Sequence, residues 1–171
     1  PQDAIAQAII VQHPEIDRLH HDSINCIRVV TMLRPEGVEY ICAYFRMGQG
    51  GNRIDYLGGC SCTIQPDGRL NPHGCDNMTC DLVDAHACGQ QFSEYRIPHF
   101  EKIKETAMRL HCKLGDFRIA SWDFSVSPEG EPIFIEVNLK YGGTKYHQLG
   151  KGPMFGDKTD EIFNEVYCDI K

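Results

Sequence analysis

No stretch of this chain approaches the run of about eighteen apolar residues that a membrane-crossing helix requires. Its first residues also lack the basic, apolar and small-residue order of a secretory signal. Clustered Lys and Arg are missing as well. With a net charge of −7 and no basic stripe, the chain lacks what a binder of phosphate backbones needs, so neither nucleic acid nor membrane is expected as a partner. The glycine-rich stretch at 48–59 matches neither a Walker motif nor the dinucleotide fingerprint and reads as a flexible connector. There is no long repeat and no low-complexity tract. Nine cysteines are present, but the paired Cys-x-x-Cys spacing of a zinc site is not. Cys60, Cys62, Cys75, Cys80 and Cys88, with His73 and His86 among them, offer only a single Cys-x-Cys. Structural zinc is therefore the lesser reading, and reduced thiols in a cytoplasmic protein the expected one.

What is there suffices for one domain with a real core: 171 residues, 42% hydrophobic and 24% charged. The chain starts at Pro1 without an initiator Met, which suggests a piece trimmed from something longer. The most informative stretch is 121–138. Trp122, Phe124 and Val126 alternate with Ser121, Asp123 and Ser125. Beyond a Pro-Glu-Gly turn, Ile133, Ile135 and Val137 alternate with Phe134, Glu136 and Asn138. This is the period of two of half-buried strands joined as an antiparallel hairpin.

Pairing Val126 with Ile133 sets Phe124 against Ile135 and Trp122 against Val137, with all six apolar side chains on one face. Asp123 then lies opposite Glu136, and Ser121 opposite Asn138. A one-residue slip would press both acids into the apolar layer and is expected to lose. Facing carboxylates repel; a hard divalent ion such as Mg²⁺ or Mn²⁺ would reconcile them through oxygen ligands. The competing reading is an edge hairpin whose polar face meets only water.

Residues 23–33 and 38–47 read as a second hairpin around Arg34-Pro35-Glu36-Gly37. A three-residue loop with a glycine bulge puts Arg28 and Arg46 on one face as an anion site; a four-residue loop separates them. Pro14 is placed to open a helical turn through Leu19, while 3–12 is ambiguous between helix and strand. Residues 59–91 read as loop with short strands. The segment 98–114 is the clearest helix, with Phe100, Ile103, Ala107, Leu110 and Leu114 at helical spacing. A terminal amphipathic helix begins near Asp157 or Thr159 and carries Ile162, Phe163, Val166 and Ile170. Hairpins with helices packed on one side of their sheet make an α+β domain.

Several short motifs follow in order: Ser-Ile-Asn-Cys-Ile-Arg at 23–28, Phe-Arg-Met-Gly at 45–48, Ile-Asp at 54–55, Gly-Gly at 58–59, Ile-Pro-His-Phe at 97–100, Trp-Asp at 122–123, Ile-Glu-Val-Asn at 135–138 and Phe-Gly-Asp at 155–157. Together they resemble the C-terminal half of ATP-grasp proteins. In particular the chain is similar to the sugar-transfer associated ATP-grasp group, which commonly carries Gln-His-Pro ahead of its first Arg strand, as Gln12, His13 and Pro14 stand here. The likeness spans nearly all of residues 9–168. It departs from the group at Asp55-Tyr56, where Asp-Asn is usual.

The resemblance implies an ATP-dependent ligase with Mg²⁺ or Mn²⁺. Asp123, Glu136 and Asn138 would hold the metal, Arg28 and Arg46 would bind the transferred phosphoryl group or the acceptor carboxylate, and Ile10, Val11 and Gln12 would border the adenine. Such ligases phosphorylate a small-molecule carboxylate from ATP and pass it to an amine or thiol; the group name suggests polysaccharide assembly. The family's small lobe lies upstream of the matched region. Residues 1–171 are thus expected to be a single metal- and phosphate-binding domain that binds ATP poorly and is inactive alone. The alternative is a non-catalytic binding module that retains the fold.

Overall fold

Side chains alternate across every strand of an antiparallel sheet, so strand register decides which residues reach the core and which reach a site. The computed structural model describes residues 7–53, 58–140 and 142–168. Its strands are β1 (Cys26–Arg34), β2 (Gly37–Met47), β3 (Cys60–Ile64), β4 (Gly74–Asp76), β5 (Leu82–Val83), β6 (Ile119–Val126) and β7 (Pro132–Asn138). They form one seven-stranded sheet in the order β5-β4-β3-β2-β1-β6-β7, every pair antiparallel. Four helices accompany it: α1 (Pro14–Asp17), α2 (Phe100–His111), α3 (Lys145–Lys151) and α4 (Thr159–Cys168). The architecture is α+β, as the hairpin pattern suggested.

One face of the sheet is the core. Ile27 and Val29 of β1, Ala43, Phe45 and Met47 of β2, and Trp122, Phe124 and Val126 of β6 pack there against Phe100, Ile103 and Ala107 of α2. Each large side chain so buried contributes about 1.5–3 kcal/mol, which is what seats α2. This helix is shorter than its periodicity suggests. His99 precedes it in the left-handed region with φ 54°. After His111 the chain tightens into a turn in which Lys113 N–H bonds Leu110 O and Leu114 N–H bonds His111 O. Thr31 ties the helix end to the sheet: its hydroxyl lies 2.6 Å from His111 Nδ1 and accepts the Trp122 indole N–H at 2.7 Å.

In the β6–β7 hairpin Ser121 pairs with Asn138, Trp122 with Val137 and Asp123 with Glu136, the register expected from the alternation. The turn-proximal half differs. An extra residue, Ile135, bulges from β7, so Phe124 pairs with Phe134 and Val126 with Pro132. Phe134 thereby stands against Trp122 and Phe124, with ring centroids 6.2 and 6.0 Å away. The expected six-residue apolar face is corrected accordingly. A bulge re-aims side chains on one side of it only, so the aromatic contacts form without displacing Asp123 and Glu136.

The β1–β2 hairpin also bulges. Arg34 pairs with Gly37 at a two-residue turn, and the register shifts between Val30 and Thr31, opposite Ile41. Beyond it Arg28 pairs with Tyr44 and Cys26 with Arg46. Arg28 and Arg46 therefore share a face, the first of the two alternatives, though the extra residue sits at Ile41 and not at the turn.

The second face mixes the charged row with buried apolar residues such as Val30, Met32 and Cys42, and is partly covered by residues 142–152, so helices lie on both sides of the sheet. Tyr146 of α3 packs with Tyr44 and Cys75 there, Thr63 Oγ1 donates to His147 O and Asn71 Nδ2 to Gly150 O. The described part of the 48–59 loop is tethered rather than loose. His86 Nε2 lies 2.8 Å from Gly48 O, and His20 Nε2 lies 2.7 Å from Asn52 O. A Cβ at position 48 would meet Ser23 Oγ at 2.2 Å, so only glycine fits. Ile54, Asp55 and Tyr56 of the motif series lie outside the described residues, as does Ile170. Among the described residues no helix is long and apolar enough to cross a membrane.

Candidate functional site

The second face gathers its chemistry in one row across four strands. Tyr44 on β2 pairs with Arg28 on β1, Arg28 with Asp123 on β6, and Asp123 with Glu136 on β7. Residues directly paired across neighbouring strands point to the same side, so these four side chains share a face. Arg46, two residues along β2 from Tyr44, joins them.

Asp123 is the hub. Buried, it accepts Arg28 Nε on Oδ1 and Arg28 Nη2 on Oδ2, both at 2.6 Å, the bidentate fork that suits a guanidinium to a carboxylate. Arg46 Nη2 adds a third bond to Oδ2 at 3.1 Å. Burial is the largest single influence on Arg28 and opposes its charge, but the hydrogen bonds to Asp123 together with the electrostatic pull of Tyr44 and Asp123 outweigh it, and its pKa is raised above the ordinary value. Arg28 Nη1 donates further to Tyr44 Oη at 3.3 Å and Gly142 O at 3.2 Å. Tyr44 Oη in turn donates to Gly143 O. Burial pushes the Tyr44 phenol up to about 12, although the charges of Arg28 and Arg46 pull the other way, so it remains a protonated donor at neutral pH.

A cavity of about 100 Å³ opens beside this cluster, lined by Arg28, Tyr44, Arg46, Gly143, Lys145 and Tyr146. Three cationic side chains and two phenols border it, with one carboxylate in contact with the guanidiniums. Such a concentration of positive charge, with the two arginines largely out of water and Lys145 at the exposed rim, favours an anion of the size of one phosphate or carboxylate group. Lys145 and Tyr146 escaped the sequence reading. The signal was present in Gly-Gly-Thr-Lys-Tyr at 142–146, but nothing local brings that stretch back over β1 and β2.

Glu136 and Asn138 occupy the outer end of the row. Glu136 is exposed and accepts Asn138 Nδ2 on Oε1 at 3.1 Å. The oxygens of Asp123, Glu136 and Asn138 suit a hard divalent ion, and all three lie on one face, so the donor set fits. Its state differs from a preformed metal site in one respect: three of the roughly four lone-pair positions of Asp123 are already engaged by guanidinium N–H groups. Among the described residues no three His, Cys, Asp or Glu side chains cluster to hold an ion.

Ile10 and Val11 line a cleft of about 830 Å³ together with Ile9, Ser127, Pro128 and Ile133–Ile135 of the bulged part of β7. It borders the same strand that carries Glu136 and Asn138. Gln12 stands apart. Its side chain is buried, donating to Ser23 O at 3.0 Å and accepting the Asn25 N–H at 2.7 Å, which braces the chain into β1 and leaves no side-chain group for a nucleotide. Two cysteines border this face's charged row: Cys26 pairs with Arg46 across β1 and β2, and Cys75 packs against Tyr44 and Tyr146. Burial raises the thiols of Cys60 and Cys75, to about 12 and about 11, and so holds them protonated.

An antiparallel sheet with two arginines, a lysine and facing acids on its half-covered side offers a setting suited to an anion. The chain belongs to the sugar-transfer associated ATP-grasp family, which it matches over residues 1–162. Membership places it among ATP-binding proteins of ligase-like chemistry. No curated protein and no solved structure matches the chain.

Proposed function

We propose that this chain is the metal- and phosphate-handling part of an ATP-dependent ligase that activates a small-molecule carboxylate as an acyl phosphate for attack by an amine or thiol, with polysaccharide assembly as the setting. The observation that carries the reading is the cavity between Arg28, Tyr44, Arg46 and Lys145, sized for one anionic group, on the sheet whose edge strand β7 lines a second cleft with Ile10 and Val11. In this reading the adenine rests in that cleft and the phosphates pass along β7 toward the row of charges. Glu136 and Asn138, with Asp123, hold Mg²⁺ or Mn²⁺, which when bound neutralises phosphate charge.

A carboxylate is a poor electrophile, and phosphoryl transfer to it gathers negative charge. Arg28, Arg46 and Lys145 supply compensating charge fixed in advance, Tyr44 donates a hydrogen bond, and Asp123 holds both guanidiniums in place. The glycine-rich cover over the phosphates comes from outside residues 1–171, so these residues alone bind ATP weakly and do not turn over.

A second reading, a non-catalytic module that uses the cleft for a ligand, draws support from the engagement of Asp123 by its arginines. Carboxylate-dependent ADP release by the full-length protein, with hydroxylamine trapping of the acyl phosphate, separates the two. The ligase reading expects hydroxamate in the wild type and none in Glu136→Gln at unchanged stability. ATP binding without any hydrolysis or hydroxamate, across a panel of carboxylates, supports the module.

A further inference from the structure

Two guanidiniums converge on one buried carboxylate. Arg28 takes both oxygens of Asp123 at 2.6 Å, and Arg46 takes Oδ2 at 3.1 Å. The side chains of the three residues are 8%, 12% and 2% exposed, so their charges lie largely out of water. Glu136, the cross-strand neighbour of Asp123, bonds Asn138. The cavity against the arginines adds Lys145. Two demands therefore compete for the same carboxylate. While Asp123 satisfies the arginines, its lone pairs are largely spent; a cation approaching without an anion would draw Asp123 away from the buried Arg28 guanidinium that holds both of its oxygens.

We propose that Asp123 is an exchange residue that couples the two halves of the site: it releases Arg28 and Arg46 to an incoming anion as it turns its oxygens to a divalent cation, so that each ligand binds more tightly in the presence of the other. This rests on the anion and metal reading above and adds the linkage between them. The anion replaces the carboxylate as partner of the guanidiniums, and the cation replaces the guanidiniums as partner of the carboxylate, so no buried charge is left unpaired at the end. Arg28 keeps its bonds to Tyr44 and Gly142 O throughout, which holds the guanidinium over the cavity. Asp123 in this account is a positioning residue for the arginines and becomes a ligand only when an anion is present. Linkage requires the coupling to be reciprocal.

The test is calorimetry of sulfate binding to the 171-residue chain, with and without saturating Mg²⁺ at constant ionic strength, and of Mg²⁺ binding with and without sulfate, the solution pairing of the two ions subtracted. Coupling of ordinary size tightens sulfate by about tenfold on adding Mg²⁺, and sulfate tightens Mg²⁺ by the same factor. Asp123→Asn removes the competing charge; it should bind sulfate without metal at least as tightly as the wild type does with it, and lose the Mg²⁺ effect. A variant that fails to fold leaves a wild-type readout: the Arg28 Nε–H resonance should move when Mg²⁺ and sulfate are added together, and stay when Mg²⁺ is added alone. Binding of both ions with no mutual effect overturns the exchange while leaving the site reading intact. Failure of sulfate and Mg²⁺ to bind even together overturns both.

Discussion

Arg28 and Asp123 face one another across β1 and β6 and are joined by two hydrogen bonds of 2.6 Å, although 95 residues separate them in the chain. The pair fixes the centre of the charged row, and the cost of breaking it is unequal on its two sides. Asp123→Ala leaves the buried Arg28 guanidinium without its carboxylate and should destabilise by about 3–5 kcal/mol. Arg28→Ala should cost less, because Arg46 still neutralises Asp123. Urea unfolding of the two variants checks the order.

Thr31 serves two buried partners with one hydroxyl, Trp122 and His111. Thr31→Val strands both and should cost about 1–3 kcal/mol, while Thr31→Ser should restore most of it. The same unfolding measurement decides; a loss in Thr31→Ser with none in Thr31→Val would show that the methyl group, not the hydroxyl, matters.

His147 is buried under α3, where burial first and the charge of Lys151 second lower its pKa from 6.5 to about 4. The unfolded chain therefore binds a proton that the folded chain refuses. Stability is full above pH 6.5 and falls as pH drops toward 4, with a loss on the order of 2 kcal/mol by pH 5 from this group. His86, also lowered by burial, adds in the same direction. Comparing unfolding free energies at pH 7 and pH 5 for wild type and His147→Gln should show a shallower slope in the variant.

Arg34 gathers Glu39, Glu161 and Glu165 and so ties α4 to the turn end of the β1–β2 hairpin. Arg34→Ala should raise amide hydrogen exchange in α4 selectively and leave α2 unchanged. Uniform acceleration in both helices would instead indicate global destabilisation.

Much of this was legible in the chain. The alternation at 121–138 placed Asp123 opposite Glu136 and Ser121 opposite Asn138 because any slip there would bury charge. The bulge at Ile135 was not legible: Phe134 and Ile135 are both apolar, so the pattern assigns no penalty to exchanging them. For the same reason Ile41 hid the bulge in β2, and the choice between two faces for Arg28 and Arg46 stayed open until the register was seen. The engagement of Asp123 by the arginines depends on β1 lying beside β6. That is a long-range pairing with no local signature, and it turns three separately readable residues into one cluster. The inward turn of Gln12 has the same origin, since its partners Ser23 and Asn25 lie across a helical turn.

If Glu136 and Asn138 carry the metal that the donor set suits, Glu136→Gln should lower turnover of the full-length protein by at least on the order of a hundredfold with little change in stability, since Glu136 is exposed. Steady-state ADP release against a thermal unfolding scan provides the comparison.

The most direct test of the account is a structure of the full-length protein with Mg²⁺ and a non-hydrolysable ATP analogue. It should place the adenine between Ile10–Val11 and the bulged part of β7, with the terminal phosphate within reach of Arg28 or Arg46 and the ion on Glu136 and Asn138. A nucleotide bound elsewhere, or phosphates turned away from both arginines, would contradict it.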